Sequence, residues 1–261
     1  MSKHTFAICA YKESEFLEEC IKSLKKQTYK SEIIMATSTP NDYIVGLAQK
    51  YNIALYINEG ESGIVQDWNF AYAHAKTAYV TIAHQDDIYY EDYAERAVSR
   101  LEGSKNPLIY FTNYAEIRKG KRIENNNLLK IKRLMLFPLK ICLFEKSRFV
   151  RRRILSLGSA ICCPSVTLVK DNLPEKVFRV GFRSNEDWEA WEMISRLEGS
   201  FLYDDHILMG HRIHEQSETS IILGDGARTE EDYMMFCKFW PKFIARILTK
   251  IYGMSEKSNV V

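Results

Sequence analysis

Hydrophobic and polar positions follow two alternating periods along the first hundred residues. Four short apolar runs, at 5–11 (TFAICAY), 32–38 (EIIMATS), 53–58 (IALYIN) and 78–84 (AYVTIAH), read as strands. Between and after them, 14–27, 41–51, 63–76 and roughly 91–102 carry apolar residues at helical spacing. In the first of these Phe16, Leu17, Cys20, Ile21 and Leu24 share one face behind Ser14 as a cap, and Asn41 or Asp42 caps the second. Strands alternating with helices of this length imply right-handed βαβ crossovers and a mainly parallel sheet.

After Pro107 the pattern changes. The segment 108–124 reads as two strands turned at Lys119-Gly120, 160–169 is extended, and 186–199 is a helix closed by Gly199. One or two strands are expected over 201–214, then an amphipathic helix over about 227–252 that Pro241 can break.

Composition adds bounds. With 46% hydrophobic and 27% charged residues the chain is expected to be an ordinary soluble globular protein. A net charge of +2 gives no global field that would favour nucleic acid. The bases are instead clustered: 128–153 mixes Leu, Ile, Met and Phe with nine Lys and Arg and one Glu. Cys9, Cys20, Cys142, Cys162, Cys163 and Cys237 form neither a CxxC pair nor a zinc spacing, which suits reduced thiols in a cytosolic protein. The first residues lack the apolar core of a signal peptide, and the longest apolar tract, 134–144, is too short to span a bilayer and is interrupted by Lys140.

The stretch VTIAHQDDIYY (80–90) ends a core strand on two adjacent carboxylates, Asp86 and Asp87. Adjacent anions repel and Asp is a poor strand former, so a cation is the natural complement. Ligands of open α/β sheets sit at the carboxyl ends of the strands, which gathers Tyr11 to Glu13, Thr37 to Thr39, Asn58 to Gly60 and His84 to Asp87 round one crevice. Alternation along an extended chain favours Asp86 as the better ligand of the two, with Asp87 close behind.

Over roughly residues 4–220 the chain resembles the family-2 glycosyltransferases of the GT-A fold. The family's IPAYN is matched by ICAYK (8–12), EIIVVDDGSTD by EIIMATSTPND (32–42), GVSAARNTGIDAATGEY by GIVQDWNFAYAHAKTAY (63–79) and DSDD by HQDD (84–87). The family's ED is matched by Glu186-Asp187 and its YRxH by HRIH (211–214). The resemblance implies an α/β GT-A fold, a Rossmann-like sheet flanked by helices with a C-terminal acceptor lobe and a terminal amphipathic helix. It divides the chain into a GT-A domain at 1–220, with a nucleotide-sugar half (1–106) and an acceptor half (107–220), and a helical extension at 221–261.

By the same resemblance the enzyme is an inverting transferase that moves a sugar from a nucleotide-sugar, a UDP-sugar first, to a glycan hydroxyl. Asp187 is then the general base, and Asp86, Asp87 and His214 hold Mn²⁺ or Mg²⁺. Ala10, Tyr11, Glu13, Thr37, Ser38, Gly63, Trp68, Asn69, Gln85 and Asp86 line the donor site, and Glu186, Trp188, Trp191 and His211 the acceptor side. A helix start favours an anion and would keep Asp187 ionised. Three positions depart from the pattern: Thr37 and Ser38 replace an Asp pair, His84 the first Asp of the acidic motif, and Trp68 an Arg. Plainer readings stand beside these: HQDD as a helix cap, either Trp as core, and Arg151 to Arg153 as a solvated face.

A lipid-linked or protein-linked glycan of bacterial surface polysaccharide or glycoprotein synthesis is the expected acceptor, reached in the cytoplasm or at the inner membrane face. The basic apolar segments 128–153 and 227–252 suit anionic lipid, and equally a packed subunit contact in a homo-oligomer. The alternative function is an idle GT-A module that binds a glycan or a partner.

Overall fold

The computed structural model describes residues 2–214 and 227–257. Strands β1 (His4–Cys9), β2 (Glu32–Thr37), β3 (Ala54–Ile57) and β4 (Tyr79–His84) lie parallel in the order β3-β2-β1-β4. Along β1, Ala7 packs into one hydrophobic core while Phe6 and Ile8 enter another, so the sheet divides the interior into two layers. Helices α1 (Leu17–Lys25), α2 (Asp42–Lys50) and α3 (Ile64–His74) make the crossovers, and α4 (Tyr93–Glu102) follows the short strand β5 (Ile88–Tyr89). Asn41 caps α2 by accepting the Ile44 N–H at 2.9 Å. Ser14 does not cap α1: the helix begins three residues later, and the Ser14 hydroxyl accepts the Phe16 N–H of the preceding turn.

The second half completes a nine-stranded sheet, continuing as β8-β6-β9-β5 beyond β4, with β7 on β6. Here β6 (Pro107–Arg118) and β7 (Lys121–Ile123) form the hairpin expected at Lys119-Gly120, β8 (Val166–Val169) runs antiparallel between β4 and β6, and β9 (Ser200–Ile213) runs parallel to β6. β9 is one strand whose register shifts at Asp204 to Ile207. The fold expected from the sequence, an α/β sheet flanked by helices, is the fold observed.

Helices α5 (Asn127–Leu136) and α6 (Arg148–Leu155) bracket two 3-10 turns at 137–140 and 142–144. α7 (Glu186–Ile194) ends earlier than expected, and Gly199 serves the entry to β9 instead. Its φ is +142°, and a Cβ there would lie 2.6 Å from the carbonyl oxygen of Asn106. α8 (Ala227–Cys237) and α9 (Lys242–Lys257) are separated at Pro241, as expected. The domain boundary expected at 220–221 lies outside the described residues.

The run Arg151 to Arg153 is not a solvated face. Arg151 is fully buried and donates to the carbonyls of Ser195 (2.9 Å), Leu197 and Gly199 (2.6 Å), satisfying the chain as it leaves α7. Arg152 pairs with Glu192 at 2.7 Å, and Arg153 stacks over the Trp240 ring at 4.6 Å.

Candidate active site

The loop after β4 is held between two strands. Its turn closes through the Asp87 N–H and the His84 carbonyl, and β5 then pairs with β9 at Ile88–Gly210 and Tyr89–Met209. That pairing sets His84 to Asp87 against His211 to His214. His84, Asp86 and Asp87 each offer a ligand atom, all within 4.8 Å of one another, a donor set that fits a divalent cation. The chain turns at once at this point, which brings Asp87 close to Asp86 despite the alternation of an extended strand.

The two carboxylates differ. Asp87 is fully buried: its Oδ1 accepts the Arg212 backbone N–H at 2.8 Å and faces His211 Nδ1 at 3.1 Å. Burial would lower His211, and the Asp87 carboxylate outweighs it, raising the imidazole above its ordinary value. His211 therefore serves Asp87, where the sequence placed it on the acceptor side. Asp86 is partly exposed, with Oδ2 2.9 Å from His214 Nε2. Burial pushes the Asp86 carboxyl up, but the His214 hydrogen bond and the neighbouring imidazoles leave it below the ordinary carboxylate range. His84 stacks on Trp68 at 5.2 Å, and its buried Nε2 has no hydrogen-bond partner. Burial lowers its pKa, so it is a neutral imidazole with a lone pair to offer.

Arg212 was missed by sequence reasoning, which weighed only the histidines of HRIH. Its Nε donates to the Asp86 carbonyl at 2.8 Å and its Nη2 to Glu19 at 2.6 Å, tying the acidic loop to α1. Gln85 reaches the other way and bonds the backbone of Tyr11.

At the end of β2, Thr37 is enclosed and its hydroxyl accepts the Thr39 N–H, so its side chain is not available to a ligand. Ser38 is half-buried and donates its hydroxyl proton to Asp67 at 2.6 Å, and Asn58 bonds the other Asp67 oxygen at 2.8 Å. Asp67 on α3 was not singled out from the sequence; its neighbours come together only in the fold. Asn69, expected at the donor, has both ends of its amide bonded to the backbone of Phe178 (2.7 and 3.1 Å) and is a clamp. Gly63 starts α3 at φ +150°, Ala10 is buried at the end of β1, and Tyr11 and Glu13 are exposed beside it.

Glu186 and Asp187 open α7. The preceding loop is pinned by Glu231 of α8, which accepts the N–H groups of Arg183 and Ser184 at 2.8 and 2.9 Å. Burial raises the Asp187 carboxyl above its ordinary value; the Trp188 N–H, Lys132 and Arg228 oppose this without cancelling it. The helix start thus supplies an N–H, yet desolvation is the larger effect. Both Asp87 and Asp187 lie near enough to the buried Cys162 thiol to help push it up, so that segment neighbours both acids. Trp188 and Trp191 are fully enclosed and Trp188 bonds the Leu155 carbonyl, so neither indole has a face free for a sugar ring. They are core residues.

A model of the family described as Glycosyl transferase family 2 matches residues 5–178. An uncharacterized glycosyltransferase of Rickettsia bellii (strain RML369-C) is 24% identical over 260 residues; the match covers 94% of this chain and 34% of the relative, so the chain spans about a third of that protein's length. Among solved structures, S. aureus TarS 1–349 in complex with UDP-GlcNAc superposes with a TM-score of 0.63 at 15% identity, covering 95% of this chain and 70% of that one. The mannosyltransferase PcManGT from Pyrobaculum calidifontis, in complex with GDP-Man and Mn2+, gives 0.60 at 14% identity, covering 96% and 69%. At these identities the structural likeness concerns the fold.

Proposed function

The chain belongs to glycosyl transferase family 2, and from that premise we propose that it transfers a sugar from a nucleotide-sugar, a UDP-sugar first, to a glycan hydroxyl with inversion at the anomeric carbon. What supports the proposal is the cation-competent cluster of His84, Asp86 and Asp87 at the strand end, with Asp187 on α7 and Asp87 both near the Cys162 thiol.

Asp86 and His214 are the accessible pair that would hold Mn²⁺ or Mg²⁺, with His84 and Asp87 beside them. When bound, such a cation neutralises the charge that builds on a departing nucleoside diphosphate. An imidazole among the ligands suits Mn²⁺ better than Mg²⁺. Asp187 takes the acceptor's proton as the new bond forms, a role its raised pKa makes it more basic for. Attack from the Asp187 side, away from the diphosphate, gives inversion in one displacement. On this reading Tyr11, Ser38 and Trp68 would line the nucleoside, and Glu186 would stand beside the base. Synthesis of a bacterial surface polysaccharide or glycoprotein glycan, on a lipid-linked or protein-linked acceptor at the inner membrane face, belongs to the same reading.

The test is release of nucleoside diphosphate from UDP- and GDP-sugars with Mn²⁺, with D187N as control and the anomeric configuration of any product read by NMR. Release that D187N loses supports the reading. No release and no thermal shift with any donor would leave an idle binding module.

A further inference from the structure

Ten of the fourteen large hydrophobic side chains exposed among the described residues fall in two stretches, seven within 131–157 and three within 243–251. Scattered exposed apolar residues need no explanation, but crowding of this kind marks an interaction surface. In the first stretch Leu134, Leu143 and Phe149 are 74%, 80% and 73% exposed. On α9, Phe243, Ile247 and Ile251 recur at every fourth position and face outward, while Ala245 and Thr249 are buried. The α8 half of the expected 227–252 segment does not contribute, because Met235 and Phe236 are core residues.

The charge around these side chains is predominantly positive. Lys130, Lys140, Lys146 and Arg148 are exposed in the first stretch, and Lys242, Arg246 and Lys250 on α9. The one acid of 128–153, Glu145, is buried against Arg100 at 2.5 Å, and 242–253 contains none. The two stretches adjoin. The Arg153 guanidinium lies over both the Phe149 ring (5.8 Å) and the Trp240 ring (4.6 Å), and the Trp240 N–H donates to the Ser156 carbonyl at 2.8 Å.

We infer that the face formed by α5 to α6 together with α9 docks on an anionic lipid surface. Its apolar side chains enter the boundary between headgroups and acyl chains, and the surrounding bases meet lipid phosphates. Lys140 is paired with Asp205 at 2.5 Å, but an apolar protein partner covering the leucines and phenylalanines would leave the other six cations without a counter-charge among the described residues. Among the described residues no helix is long and apolar enough to cross a membrane, so the contact lies in the membrane plane.

The experiment is co-sedimentation of the full chain, without nucleotide, with vesicles of phosphatidylglycerol in phosphatidylcholine and of phosphatidylcholine alone. The wild type should pellet with the first and remain in solution with the second. Replacing Lys242, Arg246 and Lys250 by Gln should weaken partitioning on the order of a hundredfold, each base near the surface contributing about fivefold. The pair L143E and F149E should abolish it. Absence of pelleting with the anionic vesicles, or pelleting untouched by both variants, overturns the inference. So does a wild-type oligomer that the glutamate pair splits into monomers, since the face is then a subunit contact. The substituted side chains are exposed and lie outside the candidate site, so donor hydrolysis by the variants should stay at the wild-type level, and a failure here is separable from a failure of the transfer reading.

Discussion

Gln85 and Tyr11 bond each other twice. The Gln85 Oε1 accepts the Tyr11 N–H at 2.9 Å and its Nε2 donates to the Tyr11 carbonyl at 3.0 Å. The last paired residues of β1 and β4 are Cys9 and His84, so this side chain adds a further rung beyond the end of the backbone ladder. Gln85→Glu keeps the acceptor and loses the donor. It should weaken nucleoside diphosphate binding about fivefold, the worth of one hydrogen bond of about 1 kcal/mol, as read by titration calorimetry.

Asp187→Asn should lower kcat by about 10² to 10⁴ if the carboxylate is the base. Its stability should move the other way. A carboxyl whose folded pKa is raised contributes stability below its unfolded pKa and loses it as pH rises through the folded one, so at neutral pH the charge opposes folding. The variant should therefore melt at or above the wild-type temperature at pH 7. For the same reason the acid limb of the wild-type rate profile should lie above the ordinary aspartate value of 3.8.

Metal removal separates the two sides of the site. EDTA should abolish turnover, and Asp86→Asn should lose the rise in melting temperature that Mn²⁺ gives the wild type. His214→Ala should narrow the preference for Mn²⁺ over Mg²⁺, because a site that loses one of its imidazoles favours the softer ion less. A Mn²⁺ shift unchanged in Asp86→Asn would place the cation elsewhere.

In metal-free protein His211→Gln should cost stability only in acid. Burial works against the imidazolium but Asp87 prevails, so the folded pKa lies above 6.5. The stabilisation is complete below about pH 6.5 and disappears as pH rises through the folded value. The gap in melting temperature between variant and wild type should be widest below about pH 6.5 and close as pH rises through the folded value.

Arg151→Ala should destabilise the fold by about 3 kcal/mol, since three buried carbonyls lose their donor at once. Arg153→Ala, losing a partly exposed stacking contact, should cost about 1 kcal/mol. Urea denaturation measures both.

Arg151 also shows where sequence reasoning stops. Three adjacent arginines on an amphipathic helix look solvated, and the carbonyls that bury the first of them come from 44 to 48 residues along the chain. The strands, the crossover helices and the acidic loop were legible because periodicity and strand-end chemistry are local. The burial of Trp188 and Trp191, the inward turn of Thr37 and the clamp at Asn69 depend on which helix face meets which neighbour, and no spacing records that. Arg212 was partly legible, as a base within HRIH, but its three bonds need the β5–β9 pairing to be seen.

A hydroxyl has a single proton, and Ser38 has already given its own to Asp67. What its oxygen has left to offer is lone pairs alone. If the proposed nucleoside lies against it, a uracil or guanine ring N–H or an amino group can close on this oxygen, whereas a bare ring nitrogen would meet electron density with electron density. On the proposed donor site, the polarity of one serine, fixed from behind by an acid on the next helix, would then act as a filter on the base.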